Sequence, residues 1–451
     1  MLNSNLKRWH QRGSVAAQAV PGLVTGVLLA AAPQTGDASP GTTWSEPHEV
    51  AAGEAFRGPW RMNDSEFRYV DDPSAAFDAD GDLGLVWADQ EAQEIRFQRF
   101  GPDGESQLED PVNVSSSPEI FSWHPRVRLD GDHVYVLWQE IVFSGGSHGG
   151  EAFFARSTDG GETFSEPVNL SETTHGVGKG RLTRTRWHNG SHDLALGPGG
   201  SVHLAWTAFE GGLYYTRSDD RGQNFSEPVH VAGDDELPAR GPSLAAGEDE
   251  VAMAWTVGED ESADIRVARS RDGDATFGER ERATSSEAHA DAPSLEQDGD
   301  GRLHLAFADS PDGPFGQYRV RYAQAPGGSL EFSEPETIAD GRGDADSVSF
   351  PSLAIGDEGR LHLLWERFPQ GSDRPRGLGY TTAAGPEAEF AAPKVVPGSD
   401  DPAHGFNGSL QGLLMDKLAA GPDGAVAVVN STYRDGEASR IWLHLGGRTG
   451  P

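Results

Sequence analysis

The sequence predicts an all-β fold: a seven-bladed β-propeller of four-stranded antiparallel blades, closed by the N-terminal strand. Three observations carry this. First, one unit recurs seven times: an apolar strand entered through Pro-Ser or an equivalent, a Gly/Asp turn, a strand ending in an aromatic, a third strand, and a Ser/Asp/Gly turn closed by an aromatic and Ser-Glu-Pro. Second, the closing tail is repeated almost verbatim, as Phe164-Ser165-Glu166-Pro167, Phe225-Ser226-Glu227-Pro228 and Phe332-Ser333-Glu334-Pro335. Third, the tail also stands at Trp44-Ser45-Glu46-Pro47 with no strands of its own before it, while the last unit has the early strands and no tail. All-strand repeats of this length form propellers, and a ring closed by its first strand accounts for both halves of the split unit.

The units fall at residues 73–114, 124–170, 192–231, 242–283, 293–338, 351–396 and 415–445, the last completed by 44–50. Their second strands, 83–87, 134–138, 202–206, 251–255, 303–307, 361–365 and 425–429, alternate or run apolar as buried strands do. The aromatics that end most of them read as packing between radially stacked sheets. In such a blade the 1–2 and 3–4 turns share one face, and the 2–3 loops and blade-to-blade links share the other. Here the first set is short and stereotyped, as in Asp80-Gly81-Asp82, and the second is long and varied. Variable loops on a rigid scaffold carry function, so the 2–3/link face is the candidate site.

The repeat runs through residues 39–451 as a single domain, and 58 Gly and 29 Pro suit strands joined by tight turns. A formal charge of −35 argues against nucleic acid or an anionic membrane surface as partner. The absence of Cys excludes disulfides, thiolate metal sites and a cysteine nucleophile. Near the N-terminus, Lys7, Arg8 and Arg12 precede an apolar run at 20–32 that is short for a membrane span. Residues 1–38 therefore read as a signal peptide cut after Gly36-Asp37-Ala38, which predicts a secreted or periplasmic protein, with an uncleaved anchor as the alternative.

Ser157-Thr158-Asp159-Gly160-Gly161-Glu162-Thr163-Phe164 matches the Asp-box, Ser-x-Asp-x-Gly-x-Thr-Phe/Trp, at every defined position. Residues 218–225 keep Ser218, Asp220, Gly222 and Phe225, and residues 270–277 keep Ser270, Asp272, Thr276 and Phe277. On these residues the chain resembles an Asp-box, or BNR-repeat, propeller of the sialidase superfamily. The resemblance covers almost the whole of 39–451 and implies a glycan-active protein, most simply a sialidase-like hydrolase acting on acidic glycans without a cofactor.

A sialidase site needs three arginines on a carboxylate, a Tyr nucleophile beside a Glu, and an Asp acid/base. Tyr433, next to Arg434 in the last 2–3 loop, is the candidate nucleophile, with Arg57, Arg61, Arg126, Arg184, Arg186, Arg240 and Arg367 on the same face. The Arg-Ile-Pro signature is missing, and sialidases have six blades. A second constellation lies on three neighbouring blades: Trp123, His124 and Arg126; His148 in a Gly-rich loop; Arg184, Arg186, Trp187 and His188; and Arg240. It is similar, in residue types only, to the sites of seven-bladed polysaccharide lyases such as ulvan lyases. That similarity implies His124, His148 or His188 as catalytic base, and Trp123, Arg126, Arg184, Arg186, Trp187 and Arg240 as binding groups for an anionic sugar. The three histidines match no compact metal-ligand spacing. Acids that follow the second strands, among them Asp89, Glu140, Asp309 and Glu366, recur from blade to blade and read as a repeat feature. Three classes of function stay open: a glycan-cleaving hydrolase or lyase, a propeller that binds glycan or protein, and an assembly factor of the cell envelope.

Overall fold

The computed structural model describes residues 42–142, 150–172, 179–183, 186–189, 192–208, 211–234, 236–248, 250–258, 263–271, 276–278, 280–284, 288–343, 345–407 and 416–448. They form a ring of seven antiparallel blades. Blade 2 is typical: Ser122–Asp130, innermost, pairs with His133–Glu140, then Glu151–Ser157, then the short outer strand Val168–Asn169. Blade 7 closes the ring as the split repeat requires. Its third strand, Ala438–Arg448, takes Thr42–Trp44 and His48–Gly53 as its outer partner, with His48 opposite Leu443 and Trp44 opposite Gly446.

Contacts between blades follow a rule. In five blades the aromatic that ends the 3–4 turn meets an aromatic on the third strand of the preceding blade, edge to face. Phe164 meets Phe97 (ring centroids 5.5 Å apart), Phe225 meets Phe154 (4.9 Å) and Phe277 meets Tyr215 (5.0 Å). Phe390 meets Tyr322 and Trp44 meets Tyr380, both at 5.1 Å. Edge-to-face pairs add about 0.5–1.5 kcal/mol beyond area burial. Three of the receiving tyrosines are fixed from behind: Tyr215, Tyr322 and Tyr380 each hydrogen-bond the Nδ1 of a second-strand histidine (His203, His304 and His362) at 2.7 Å. The turns are held by their own polar residues. Ser157 Oγ accepts from Gly161 N (2.9 Å), and Asp159 accepts from Thr163 N (2.9 Å). Ser218 and Asp220 repeat this on Gly222 N and Asn224 N. Trp87, Trp138, Trp206, Trp255, Phe307 and Trp365, which end the second strands, are buried.

The innermost strands carry a feature that matters for the site. The residue before the entry proline sits at positive φ in five blades: Asp72 (55°), His124 (54°), Gly241 (57°), Ala292 (54°) and Phe350 (53°). The strand register slips at each of them. These are β-bulges at the link end of the strand, and bulges re-aim side chains. A side chain in that backbone region costs on the order of 1–3 kcal/mol, and proline disfavours helical φ/ψ in the residue before it. Just beyond the bulge, side chains bridge neighbouring blades. Leu244 N donates to Asp193 Oδ2 (2.7 Å), Leu295 N to Ser243 Oγ (2.9 Å) and Leu353 N to Ser294 Oγ (3.0 Å).

Trp44→Ala removes the ring-closing contact with Tyr380. Because Trp44 is only half-buried, the loss is placed at about 2–3 kcal/mol, at or below the low end of the range for core Trp→Ala changes. Urea unfolding followed by circular dichroism measures it, and an unchanged midpoint would show that closure does not depend on this ring.

Candidate functional site

The link ends of the inner strands converge on the central channel. At the level of the bulges the channel is a cavity of about 40 Å³, lined by Arg126, Asp193, Ser243, Ser294, Ser352 and Asp416 among others. A water needs about 10–15 Å³ of such space, so the throat holds a few waters and no sugar ring. A ligand of sugar size must sit above it, on the 2–3/link face.

At the rim of blades 1 and 2, the blade 2 bulge puts His124 beside Asp72, its counterpart on blade 1. Asp72 Oδ2 accepts from His124 N (3.2 Å) and lies 3.3 Å from its Nδ1. The imidazole is 1% exposed, and among the described residues neither of its ring nitrogens has a hydrogen-bond partner. Behind it, His192 Nε2 meets the His124 carbonyl oxygen at 2.7 Å, and Arg126 Nε donates to the His192 carbonyl (3.4 Å). Burial, with Arg126 adding to it, lowers His124 to about 3. Burial followed by Arg126 and then His124 does the same to His192. Both imidazoles are therefore neutral over the ordinary pH range. Arg126 continues into the throat, where its Nη1 is 3.2 Å from Asp416 Oδ1 and its Nε 3.9 Å from Asp193 Oδ1. Burial and Asp416 raise Asp193 to about 6 against the pull of Arg126 and Arg128. Burial also works against ionised Asp416, but the two arginines outweigh it and hold that carboxyl low.

Trp123 precedes His124 on the same strand. It is buried, and its Nε1–H donates to Gln90 Oε1 at 2.8 Å. The indole of Trp60 lies against it, with ring centroids 5.5 Å apart, and is half exposed. Beneath them Phe67, Tyr69, Phe121 and Tyr433 form a buried aromatic floor.

The other candidates are distributed as follows. Arg240 is buried on the inner strand of blade 4, where it donates to Gly258 O (2.6 Å) and pairs with Asp291 Oδ2 (3.2 Å). Blade 3 separates it from His124. Arg186, Trp187 and His188 lie, by their backbone, on an added hairpin, Lys179–Thr183 with Arg186–Asn189, in which His188 pairs with Gly180. That hairpin packs against the first strand of blade 4. His148 and Arg184 lie outside the described residues. Tyr433 was placed in the last 2–3 loop, and the structure corrects this. The strand Val426–Arg434 runs on through it, because its partner Ala438–Arg448 continues the ladder to a tight turn at 435–437. The Tyr433 phenol bonds Asp435 Oδ1 (3.3 Å), and burial together with Asp435 raises it to about 12, so it is a weak nucleophile where it stands.

The recurrent acids each have a local partner. Asp89 accepts from Glu91 N and Ala92 N, and Glu140 accepts from Trp138 Nε1 (3.0 Å). Asp309 is held by Arg319 and Arg321, and Glu366 by Lys417 and by Asn407 Nδ2 (2.6 Å). Asp89 thus caps its own turn, Asp309 ties two strands of one blade, and Glu366 links blade 6 to Lys417 at the entry to blade 7. Sequence reading missed Asp72, Gln90 and Trp60. The signal for Asp72 was available, since Asp72-Pro73 and His124-Pro125 occupy the same place in successive repeats.

The fold and rim together define a seven-bladed propeller with a closed throat and a neutral buried histidine at its mouth. No protein-family model and no curated protein matches the sequence. Among solved structures the chain is similar to an ulvan lyase of polysaccharide lyase family PL25. The TM-score is 0.54 at 12% identity, over 88% of this chain and 94% of that one. The structure of an ulvan lyase of that family bound to the GlcA(1-4)Rha3S repeat matches with the same figures. The polysaccharide lyase Uly1 matches with a TM-score of 0.52 at 9% identity, over 89% of this chain and 99% of that one. At such identities the likeness is one of fold.

His124 gives a pH prediction with a definite sign. Its folded-state value, about 3, lies below the ordinary 6.5, so between these pH values the unfolded chain binds the proton and the folded chain does not. The stability that comes from holding it neutral is complete above pH 6.5 and is lost as pH falls toward 3. His124→Gln should flatten the slope of unfolding free energy against pH in that window by about 1.4 kcal/mol per pH unit. Urea titrations at several pH values measure it, and equal slopes for the two proteins would show that His124 binds its proton alike in the folded and unfolded chain.

Proposed function

We propose that this chain is a carbohydrate-active propeller that cleaves an acidic glycan at the 2–3/link rim of blades 1 and 2, with His124 as the base in an elimination. The observation that carries this is the neutral His124 imidazole, set 3.3 Å from Asp72 Oδ2 with neither ring nitrogen hydrogen-bonded among the described residues, beside Arg126 and the Trp123/Trp60 step. Nε2 takes the proton from the carbon α to a uronate carboxylate. The C–H electron pair becomes the double bond to the β carbon, and the glycosidic C–O bond breaks with its electrons going to the departing oxygen. That oxygen is then protonated, by the same imidazolium or by water, leaving an unsaturated uronate end. An imidazole near 3 is a weak base when the site is empty. A carboxylate seated beside it favours the imidazolium and moves its pKa toward the working range of a base. The positive potential of Arg126 stabilises charge developing on the substrate carboxylate. The fold shared with polysaccharide lyases supports this reading without carrying it. A leader at residues 1–38 and work on extracellular polysaccharide belong to the same proposal.

The second reading is the sialidase-like hydrolase implied by the Ser/Asp/Gly turns, with Tyr433 as nucleophile. It ranks second because the Tyr433 hydroxyl bonds Asp435, and burial together with that carboxylate raises the phenol to about 12, which leaves it a weak nucleophile. One experiment separates the two. Protein is incubated with glucuronate-containing polysaccharides while the ultraviolet absorbance of unsaturated uronate is followed, and in parallel with a fluorogenic α-sialoside. Elimination predicts absorbance growth that falls about 10²–10⁴-fold in His124→Gln and stays within a few-fold in Tyr433→Phe. Sialoside turnover that depends on Tyr433 would reverse the ranking. Binding without product in either assay would make the protein a glycan-binding propeller.

A further inference from the structure

Between the ring-closing strand, which ends at Gly53, and the first strand of blade 1, which begins at Val70, the chain makes an excursion that the repeat does not need. Its short hairpin pairs Phe56–Arg57 with Phe67–Arg68. The tip is pinned to two blades through one residue. Asn63 Nδ2 donates to Ile141 O (3.0 Å), Phe121 N donates to Asn63 Oδ1 (3.1 Å), and Gln93 Nε2 donates to Asn63 O (3.0 Å). Ser65 Oγ ties the turn internally, to Met62 O and Arg61 N at 2.7 Å each. The excursion is thus a fixed arm. Its inner side is buried, with Phe67 3% and Tyr69 1% exposed, and its outer side presents Trp60 at 50%.

That indole lies in line with the candidate base: Trp60 leans on Trp123 (5.5 Å), and Trp123 leans on His124 (6.4 Å between centroids). Two exposed arginines flank it, Arg57 with its guanidinium 5.6 Å from the Phe67 ring centroid, and Arg61 at the turn. Arg68, on the same arm, pairs with Glu54 at 2.6 Å, whereas Arg57 and Arg61 have no acidic partner among the described residues. Across residues 54–69 three arginines balance Glu54, Asp64 and Glu66, in a chain of net charge −35. An exposed, rigid indole with two uncommitted guanidinium groups in so acidic a protein is a recognition surface for an anion with an apolar face.

We propose that this arm is a subsite for an anionic sugar residue next to the one that reacts. Trp60 stacks the apolar face of the pyranose ring, and Arg57 and Arg61 take its carboxylate or sulfate. The inference rests on the glycan reading of the rim and names the substrate class more closely. Affinity electrophoresis of the full chain tests it, with polyglucuronate, a sulfated neutral galactan and unsubstituted arabinan as gel probes. The expected result is retardation by at least one anionic polymer. Trp60→Ala should weaken it about 10- to 100-fold, Trp60→Phe should largely retain it, and Arg57→Ser with Arg61→Ser should weaken the anionic probes only. Half of the Trp60 indole packs on Trp123 and Phe67, so the thermal midpoint of Trp60→Ala should fall by a few degrees at most, and a circular dichroism spectrum equal to that of the parent excludes misfolding. Whether polyglucuronate or the galactan responds assigns the anion as carboxylate or sulfate ester. No retardation by either anionic polymer, or equal retardation of parent and Trp60→Ala, overturns the subsite. Loss of cleavage in His124→Gln with Trp60→Ala still bound as parent would remove the subsite and keep the catalytic reading. Trp60-dependent binding with cleavage indifferent to His124 would do the reverse.

Discussion

The ring exists because its two ends pair. Without Thr42–Gly53 against Ala438–Arg448, blade 7 would expose the edge of its third strand, and Tyr380 of blade 6 would lack its edge-to-face partner. Everything at the centre depends on this closure. The hydrogen bonds that run from blade to blade through Asp193, Ser243 and Ser294 are circumferential, and a circumference has to be complete to fix the distance across it. The bulges at Asp72, His124, Ala292 and Phe350 are strained positions that persist because both neighbouring blades hold them.

The same geometry explains why the two faces differ. On the underside, turns made by Ser157/Asp159 and Ser218/Asp220 satisfy their own backbone, and their aromatics engage the preceding blade. They are consumed by architecture. On the rim, each bulge ejects one residue from the ladder without specifying what that residue should be. Blade 4 places Gly241 there, blade 5 Ala292, and blades 1 and 2 Asp72 and His124. In the five bulged blades this is the position whose side chain the repeat leaves open.

Much of the architecture was legible because it is periodic. The tail at Trp44 and the missing tail of the last unit were enough to foresee which strand closes the ring, and the aromatics that end the second strands announced their burial. The rim was legible only in part. His124, Trp123 and Arg126 were visible as residue types near a link, but the pairing of His124 with Asp72 needs the bulge, and positive φ before proline leaves no trace in composition. Tyr433 was misplaced because a run of Asn, Ser and Thr at 430–432 looks like a loop, whereas the ladder to Ala438–Arg448 keeps it extended. Trp60 went unremarked because it lies in a segment outside the repeat, where periodicity says nothing.

The throat at Ser243, Ser294 and Ser352 carries one more consequence. A throat of this size passes no polymer. On the proposed reading a long glycan therefore lies across the rim like a rope over a pulley, both ends free, with no terminus required to find the site. That reading puts cleavage at internal bonds of extended chains, whose two products leave sideways in opposite directions without waiting for one another.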